Sequence, residues 1–312
     1  MKFGAAFWIQ RTGWPELREA CIEADRAGFD SIWLDDHLLC DEGDWPDPKL
    51  EGWTTLAAVA AVTTRTRLGL LVSANTFRNP GLTAKLATTL DHLSGGRAVL
   101  GIGGAWFERE HDAFGIEFGS SVAERLDRFD EAVMLIRRLL DGERFSHDGR
   151  FYRMHDALCE PRPVQPRLPI LVGGSGPRKT LRTTARYADA WNGYGSVERI
   201  AETSAILRQR CEEEGRRFED IERTVTMDVV IRRDEATARR AYVEIARGHG
   251  LVDDGREGRT DRPGFAGRVR DAAAYVRRFE QIGVSEVMWV FRKPFDLETL
   301  SAIGKVRAAL DG

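Results

Sequence analysis

Short runs of consecutive apolar residues alternate along this chain with longer stretches in which apolar positions recur every three or four residues. The first kind reads as buried strands and the second as amphipathic helices. Apolar runs at 2–9, 31–34, 68–72, 98–102, 169–172, 188–192, 224–231 and 287–290 predict eight strands. Between the first two, Leu17, Ala20, Cys21, Ala24 and Ala27 line one helical face. That helix opens near Pro15 and stops at Gly28, residues suited to a helix start and a helix end. Helices are likewise predicted over 53–64, 80–93, 122–140, 196–214, 235–247 and 265–283. Such alternation predicts a parallel sheet, and eight strands in this order predict an α/β, (β/α)8 barrel over 1–312 as one domain. Insertions are expected near 106–121, 141–165 and 246–266. The first reads as an aromatic, charged loop. The second contains a hairpin over 145–154 with Asp148-Gly149 as its turn. In the third, 248–264 is polar and lacks periodicity, as either a mobile lid or a disordered loop would.

Composition narrows the function classes. With 42% hydrophobic residues in 312, the chain can bury a large core. A net charge of -3 offers no electrostatic case for nucleic acid or an anionic membrane. No apolar run approaches 18 residues and no basic–apolar leader is present, so a soluble, cytoplasmic protein is expected. The four cysteines and six histidines show no metal-ligand spacing, so no metal site is expected, and the cysteine usage suits a reducing compartment.

Candidate chemistry gathers where predicted strands end, the end of a parallel barrel at which catalytic side chains collect. The second strand runs into Asp35-Asp36-His37. His37 can change protonation near neutrality, with Asp35 or Asp36 to orient its ring; the plainer alternative is a helix-capping Asp pair followed by a surface histidine. After the fourth strand, Gly103-Gly104 would let a planar cofactor lie against the backbone, unless it is a simple tight turn. After the fifth, Gly173-Gly174-Ser175-Gly176 opens a helix and is followed by Arg178 and Lys179, chemistry suited to a phosphate. The proline-bearing loop at 40–51 is placed to shape substrate access. Trp8, Trp45, Trp106 and Trp191, with Phe7, are candidates for an aromatic substrate wall, core packing being the alternative for each.

Several of these segments form a recognisable series. Trp33-Leu34-Asp35-Asp36-His37-Leu38, Thr76-Phe77-Arg78-Asn79-Pro80, Leu93-Ser94-Gly95-Gly96-Arg97, Gly101-Ile102-Gly103-Gly104-Ala105-Trp106 and Arg186-Tyr187-Ala188-Asp189-Ala190-Trp191-Asn192 follow one another in this order. Together they resemble the luciferase-like monooxygenase superfamily, specifically its deazaflavin (coenzyme F420) dependent oxidoreductases, over nearly the whole chain. The resemblance implies a bacterial luciferase-like (β/α)8 barrel with insertions. It places His37 near the reactive edge of the deazaflavin, with Asp36 beside it, and a non-proline cis peptide at Leu71-Val72, next to Ser73, under the ring. It also puts Gly103 and Gly104 against the cofactor, and Gly173, Gly174, Ser175 and Gly176 at its phosphate. The superfamily's sugar-phosphate dehydrogenases carry an acidic residue at the position held here by Trp106. Glu108 lies two residues out of register, which points away from a sugar phosphate and makes Trp106 part of an apolar wall.

A 5-deazaflavin transfers hydrides and activates oxygen poorly, and the protein supplies orientation and electrostatics. The expected activity is therefore hydride transfer between F420 C5 and an organic substrate, with His37 and Asp36 catalytic and an F420 reductase system supplying reduced cofactor. The alternatives are an FMN-dependent two-component monooxygenase fed by a flavin reductase, a non-catalytic flavin-binding protein, and a sugar-phosphate enzyme holding its substrate at Gly173–Gly176. The family is commonly dimeric, so a homodimer is expected; the small-residue helix Ala57-Ala58-Val59-Ala60-Ala61 could pack against that partner or against its own barrel.

Overall fold

Eight parallel strands close into a ring in the computed structural model, which describes residues 1–42, 46–251 and 264–311. They are β1 (Lys2–Phe7), β2 (Ser31–Leu34), β3 (Arg67–Leu70), β4 (Ala98–Gly103), β5 (Ile170–Gly173), β6 (Ala190–Tyr194), β7 (Glu222–Ile231) and β8 (Glu286–Phe291). Each pairs with its neighbours in sequence, and β1 pairs with both β2 (Gly4 opposite Ser31) and β8 (Phe3 opposite Val287), which closes the barrel. All eight predicted strands are present. They were readable because a parallel barrel strand is buried on both faces and so appears as a continuous apolar run.

Alternate strand residues fill two compartments. Ala6, Trp33, Val99, Leu171, Ala190, Met288 and Val290 form one buried cluster. A larger one, including Phe3, Ile32, Leu100, Trp191 and Trp289, packs with helix residues such as Leu17, Leu56 and Phe129. Close packing explains two glycines in the barrel wall, one against the Trp33 indole and one against the Leu70 backbone. A Cβ on Gly69 would lie 2.5 Å from Trp33 Cζ3, and one on Gly101 would lie 1.9 Å from the Leu70 carbonyl oxygen. Neither position can take a side chain.

Glu51 and two residues of the family-like segments, Arg97 and Asp189, build joints between strands and helices. Glu51 caps the helix Gly52–Val62 through the Trp53 and Thr54 amides. Arg97 donates to the Ala60, Thr63 and Thr66 carbonyls near the other end of that helix. Asp189 accepts from Arg137 (2.7 Å) and from the Ile170 amide (2.9 Å), fastening β5 to the long helix Val122–Leu140.

The insertions differ in detail from expectation. The 106–121 stretch is not wholly loop: Glu108–Phe114 is a helix closed by Gly115 at φ 65°. The hairpin pairs Phe145–Asp148 with Arg153–Ala157, so its loop is 149–152 rather than a tight Asp148-Gly149 turn. Gly264–Gly267 extends the sheet parallel to β7, and the following helix starts only at Val269. The remainder of the 246–266 insertion, at 252–263, lies outside the described residues, as does Trp45. Among the described residues, no helix is long and apolar enough to cross a membrane.

Candidate active site

The C-terminal ends of β2 to β6 surround a cavity of about 450 Å³, within the usual span of small-molecule sites, roughly 300–1,000 Å³. Asp36 and His37 reach it from β2, Leu71 to Ala74 from β3, Gly103 to Trp106 from β4, and Gly173, Gly174 and Gly176 from β5. The strand-end glycines, the histidine and the segment after β3 thus converge on one space. The sequence had separated them by up to 139 residues (37 to 176).

His37 is held by a residue that sequence reasoning did not single out. Its Nδ1 lies 3.0 Å from Glu110 Oε1, and Glu110 Oε2 accepts the Leu38 amide at 2.8 Å. A carboxylate only accepts, so this geometry puts a proton on Nδ1 and leaves Nε2 without a partner among the described residues. Neither Asp35 nor Asp36 orients the ring. Burial disfavours the imidazolium, but the Glu110 hydrogen bond and the charges of Asp41, Glu110 and Asp35 outweigh it, and the His37 pKa is raised above its ordinary value. Trp106 and Phe107 meet the imidazole edge-on, with centroids at 5.3 and 5.8 Å.

Glu110 is positioned in turn by the short helix Glu108–Phe114. His111, the next residue, contacts the Phe107 carbonyl through Nδ1 at 2.8 Å, while Thr76 Oγ1 lies 2.6 Å from its Nε2. Because a carbonyl only accepts, Nδ1 carries the proton and the Thr76 hydroxyl donates to Nε2. That pair ties the helix to the segment after β3 and aims Glu110 at β2.

Asp36 is the other half of the predicted pair, and its bonds run elsewhere. Arg78 clasps it bidentately (2.6 and 3.0 Å), and Ser73 Oγ and the Ala74 amide add donors at 2.9 and 3.2 Å. The second Arg78 nitrogen continues to Glu51 at 2.7 Å. Burial raises the Asp36 pKa against the pull of Arg78 and Ser73. Burial opposes the Arg78 charge as well, yet Asp36 and Glu51 keep its pKa above the ordinary value. Four donors converging on Asp36 require an acceptor, and they join the β2 and β3 ends into one rigid rim. Asp35 is likewise engaged, by the Ile9 amide at 2.8 Å and by Lys49.

Beneath the rim, the Leu71-Val72 peptide is cis, as the resemblance implied. The Val72 side chain then sits between the ends of β4 and β5: a Cβ on Gly103 would lie 2.7 Å from it, and one on Gly173 would lie 2.9 Å away. These glycines admit Val72 to the cavity floor and let backbone line the cavity around it.

The β5 turn wraps onto the helix Thr180–Tyr187. Gly174 adopts φ 119°, and a Cβ on Gly176 would lie 2.7 Å from Thr180 Oγ1. Arg178 is exposed with no partner among the described residues. Lys179 does not reinforce the turn, because its ammonium goes to Asp127 and the Ala123 carbonyl on the long helix. Ser175 belongs to the turn but not to the cavity wall.

The tryptophans part company. Trp106 lines the cavity and is 57% exposed, stacked on Phe107 at 5.3 Å and 26°. Trp191, expected on the same wall, is fully buried in the larger core cluster. Its Nε1–H donates to the Gly174 carbonyl at 2.8 Å, so it braces the turn from behind. Trp8 is half-buried against the Trp33 cluster and is not part of the cavity wall.

The opposite side of the barrel mouth carries a buried ionic cluster that sequence reasoning also missed. Arg292, just after β8, donates to both Glu42 oxygens (2.7 and 3.1 Å) and to Asp228 Oδ1 (2.6 Å). Desolvation opposes its charge, but Asp228 and Glu42 prevail and hold the guanidinium firmly protonated.

The family described as luciferase-like monooxygenase matches residues 1–285. An F420-dependent glucose-6-phosphate dehydrogenase of Kineococcus radiotolerans is 36% identical over 229 residues, 72% of this chain and 66% of that protein. A phthiodiolone/phenolphthiodiolone dimycocerosates ketoreductase of Mycobacterium bovis is 37% identical over 195 residues, covering 56% of this chain and 49% of its own. The chain thus spans just under two thirds of the first relative and about half of the second. The structure of an F420-dependent secondary alcohol dehydrogenase in complex with an F420-acetone adduct superposes with a TM-score of 0.84, covering 99% and 98% of the two chains at 19% identity. At that identity the likeness establishes the fold.

Proposed function

Because this chain belongs to the luciferase-like monooxygenase family and fixes His37 beside a glycine-floored cavity at the strand ends, we infer that it is a coenzyme F420-dependent oxidoreductase. Its relatives include a protein named as an F420-dependent dehydrogenase and one named as a ketoreductase, both names for hydride chemistry at a carbon–oxygen centre. The residues present suit the cofactor. The floor at Val72, Gly103 and Gly173 offers backbone to a planar ring, and the Gly173–Gly176 turn with Arg178 offers a helix start and a cation to a phosphate. Bound F420 supplies or accepts a hydride at C5.

The chain's own contribution is a proton and a scaffold. The raised pKa favours the doubly protonated His37, whose Nε2 proton passes to substrate oxygen when a carbonyl is reduced and is taken back in the reverse direction. Glu110 keeps the ring in place and stabilises its charged form. Asp36 acts through Arg78 and Ser73, fixing the rim on which His37 stands. The observation that carries this reading is the Glu110–His37 hydrogen bond at the cavity edge.

The test is His37→Ala and His37→Asn, assayed for F420 binding by fluorescence and for single-turnover hydride transfer. Cofactor affinity should hold while the transfer rate falls by about 10²- to 10⁴-fold, the usual worth of a positioned acid–base group. A rate within a few-fold of the parent would show that His37 only packs against the ring.

A further inference from the structure

Resting on that reading, we propose that the substrate is an uncharged, apolar ketone, or the corresponding secondary alcohol, whose hydrocarbon body lies along Trp106, Val122 and Leu126, and that a phosphorylated sugar does not fit.

Charge disfavours a sugar phosphate. Among the described residues lining the cavity there is no lysine or arginine; the ionisable groups are Asp36, His37 and Glu110. A dianionic phosphate beside His37 would meet two carboxylates and one imidazolium, and next to the buried Asp36 and Glu110 the like charges weigh more than they would in solvent. Arg178 stands at the β5 turn assigned above to the cofactor's phosphate, and the other cations of the strand-end loops named here are already matched. Arg78 is bound to Asp36 and Glu51, Lys49 to Asp35, and Arg11 to Asp47. Arg292 is buried between Glu42 and Asp228, so recruiting it for a phosphate would leave one of those carboxylates buried and uncompensated.

Surface chemistry favours a hydrocarbon body. Trp106 is 57% exposed and Val122 61%, and both line the cavity together with Leu126, one helical turn from Val122. Three apolar side chains lining one cavity offer it apolar area, whereas isolated exposed apolar residues need no explanation. The Trp106 ring is fixed by stacking on Phe107, so the surface is preorganised for a ligand.

The reaction balances without a further reagent. In the reducing direction the carbonyl carbon accepts the hydride, the C=O π pair moves to oxygen, and oxygen takes the proton from His37 Nε2. The products are a secondary alcohol, neutral His37 and oxidised F420, and the ring N–H proton left on the deazaflavin after hydride loss passes to solvent, from which His37 is reprotonated.

The experiment uses the full-length protein and two readouts. Ligand-observed NMR with and without F420 reports binding of 2-butanone, 2-octanone and glucose 6-phosphate. Deazaflavin absorbance then follows reduction of the same ketones and oxidation of the sugar phosphate. Apparent affinity and kcat/KM should rise by up to about fourfold for each methylene that becomes buried, and glucose 6-phosphate should neither bind nor turn over. Trp106→Ala should weaken 2-octanone binding by about tenfold and 2-butanone binding much less. Competition by glucose 6-phosphate, or no dependence on chain length, would overturn the proposal. Failure to bind F420 would overturn the underlying reading instead, and the cofactor-free NMR comparison would still decide between ketone and sugar phosphate.

Discussion

Glu110 and His37, 73 residues apart, are joined by a 3.0 Å hydrogen bond, and the second Glu110 oxygen takes the amide of Leu38. One buried carboxylate therefore fixes both the imidazole and the backbone that follows it. The histidine gains a proton-holding partner and a single orientation at the cavity edge.

That relationship sets a pH dependence. The His37 pKa is higher in the fold than its ordinary value, so the stability gained from its charged form is fully present below about pH 6.5 and is lost as pH rises through the folded pKa. Glu110→Gln removes the carboxylate charge while leaving an acceptor. NMR titration should show the His37 pKa falling toward or below 6.5, and the dependence of melting temperature on pH should flatten across that window. An unchanged His37 pKa in Glu110→Gln would assign the shift to other groups.

Arg78 bridges Asp36 and Glu51 inside the rim. Arg78→Ala leaves Asp36 buried without its counter-charge, a change that costs about 3–5 kcal/mol in comparable settings. Urea unfolding of the variant should show a matching drop in stability. A loss below about 1 kcal/mol would mean that the rim has relaxed to solvate Asp36.

Two glycines should behave differently on replacement. Gly101→Ala puts a Cβ 1.9 Å from the Leu70 carbonyl, within the barrel wall, and should impair folding itself. Gly173→Ala meets the Val72 side chain at 2.9 Å. The variant should fold, with F420 affinity at least about tenfold weaker because the cavity floor must shift. Circular dichroism and fluorescence titration separate the two outcomes, and unchanged F420 affinity in Gly173→Ala would remove this glycine from the site.

Trp191 supports the β5 turn by donating to the Gly174 carbonyl at 2.8 Å. Trp191→Phe removes that bond, worth about 1 kcal/mol, and should raise the dissociation constant for F420 by about fivefold. If thermal stability falls while cofactor affinity stays constant, Trp191 matters to the core and not to the turn.

The barrel was legible because its strands are continuous apolar runs and its helices carry apolar faces of 3.6-residue period. The strand-end glycines and His37 were legible for the same reason, since a strand end fixes where the following residues emerge. Glu110 was not, because its helix spans only Glu108–Phe114, two turns, and its partner is distant in sequence. The role of Trp191 was hidden by the two-residue alternation of strands. Ala190 joins the Trp33 cluster while Trp191 joins the larger core, and an apolar run does not say which residue takes which face. Asp36 carried the right residue type, but its bonds to Arg78 and Ser73 depend on how the segment after β3 returns, which no local pattern encodes.

The central claim is tested most directly by titrating the purified protein with F420 and, separately, with FMN, following fluorescence quenching. Micromolar F420 binding with FMN at least about tenfold weaker is the result predicted. Preference for FMN, or binding of neither, would contradict the account.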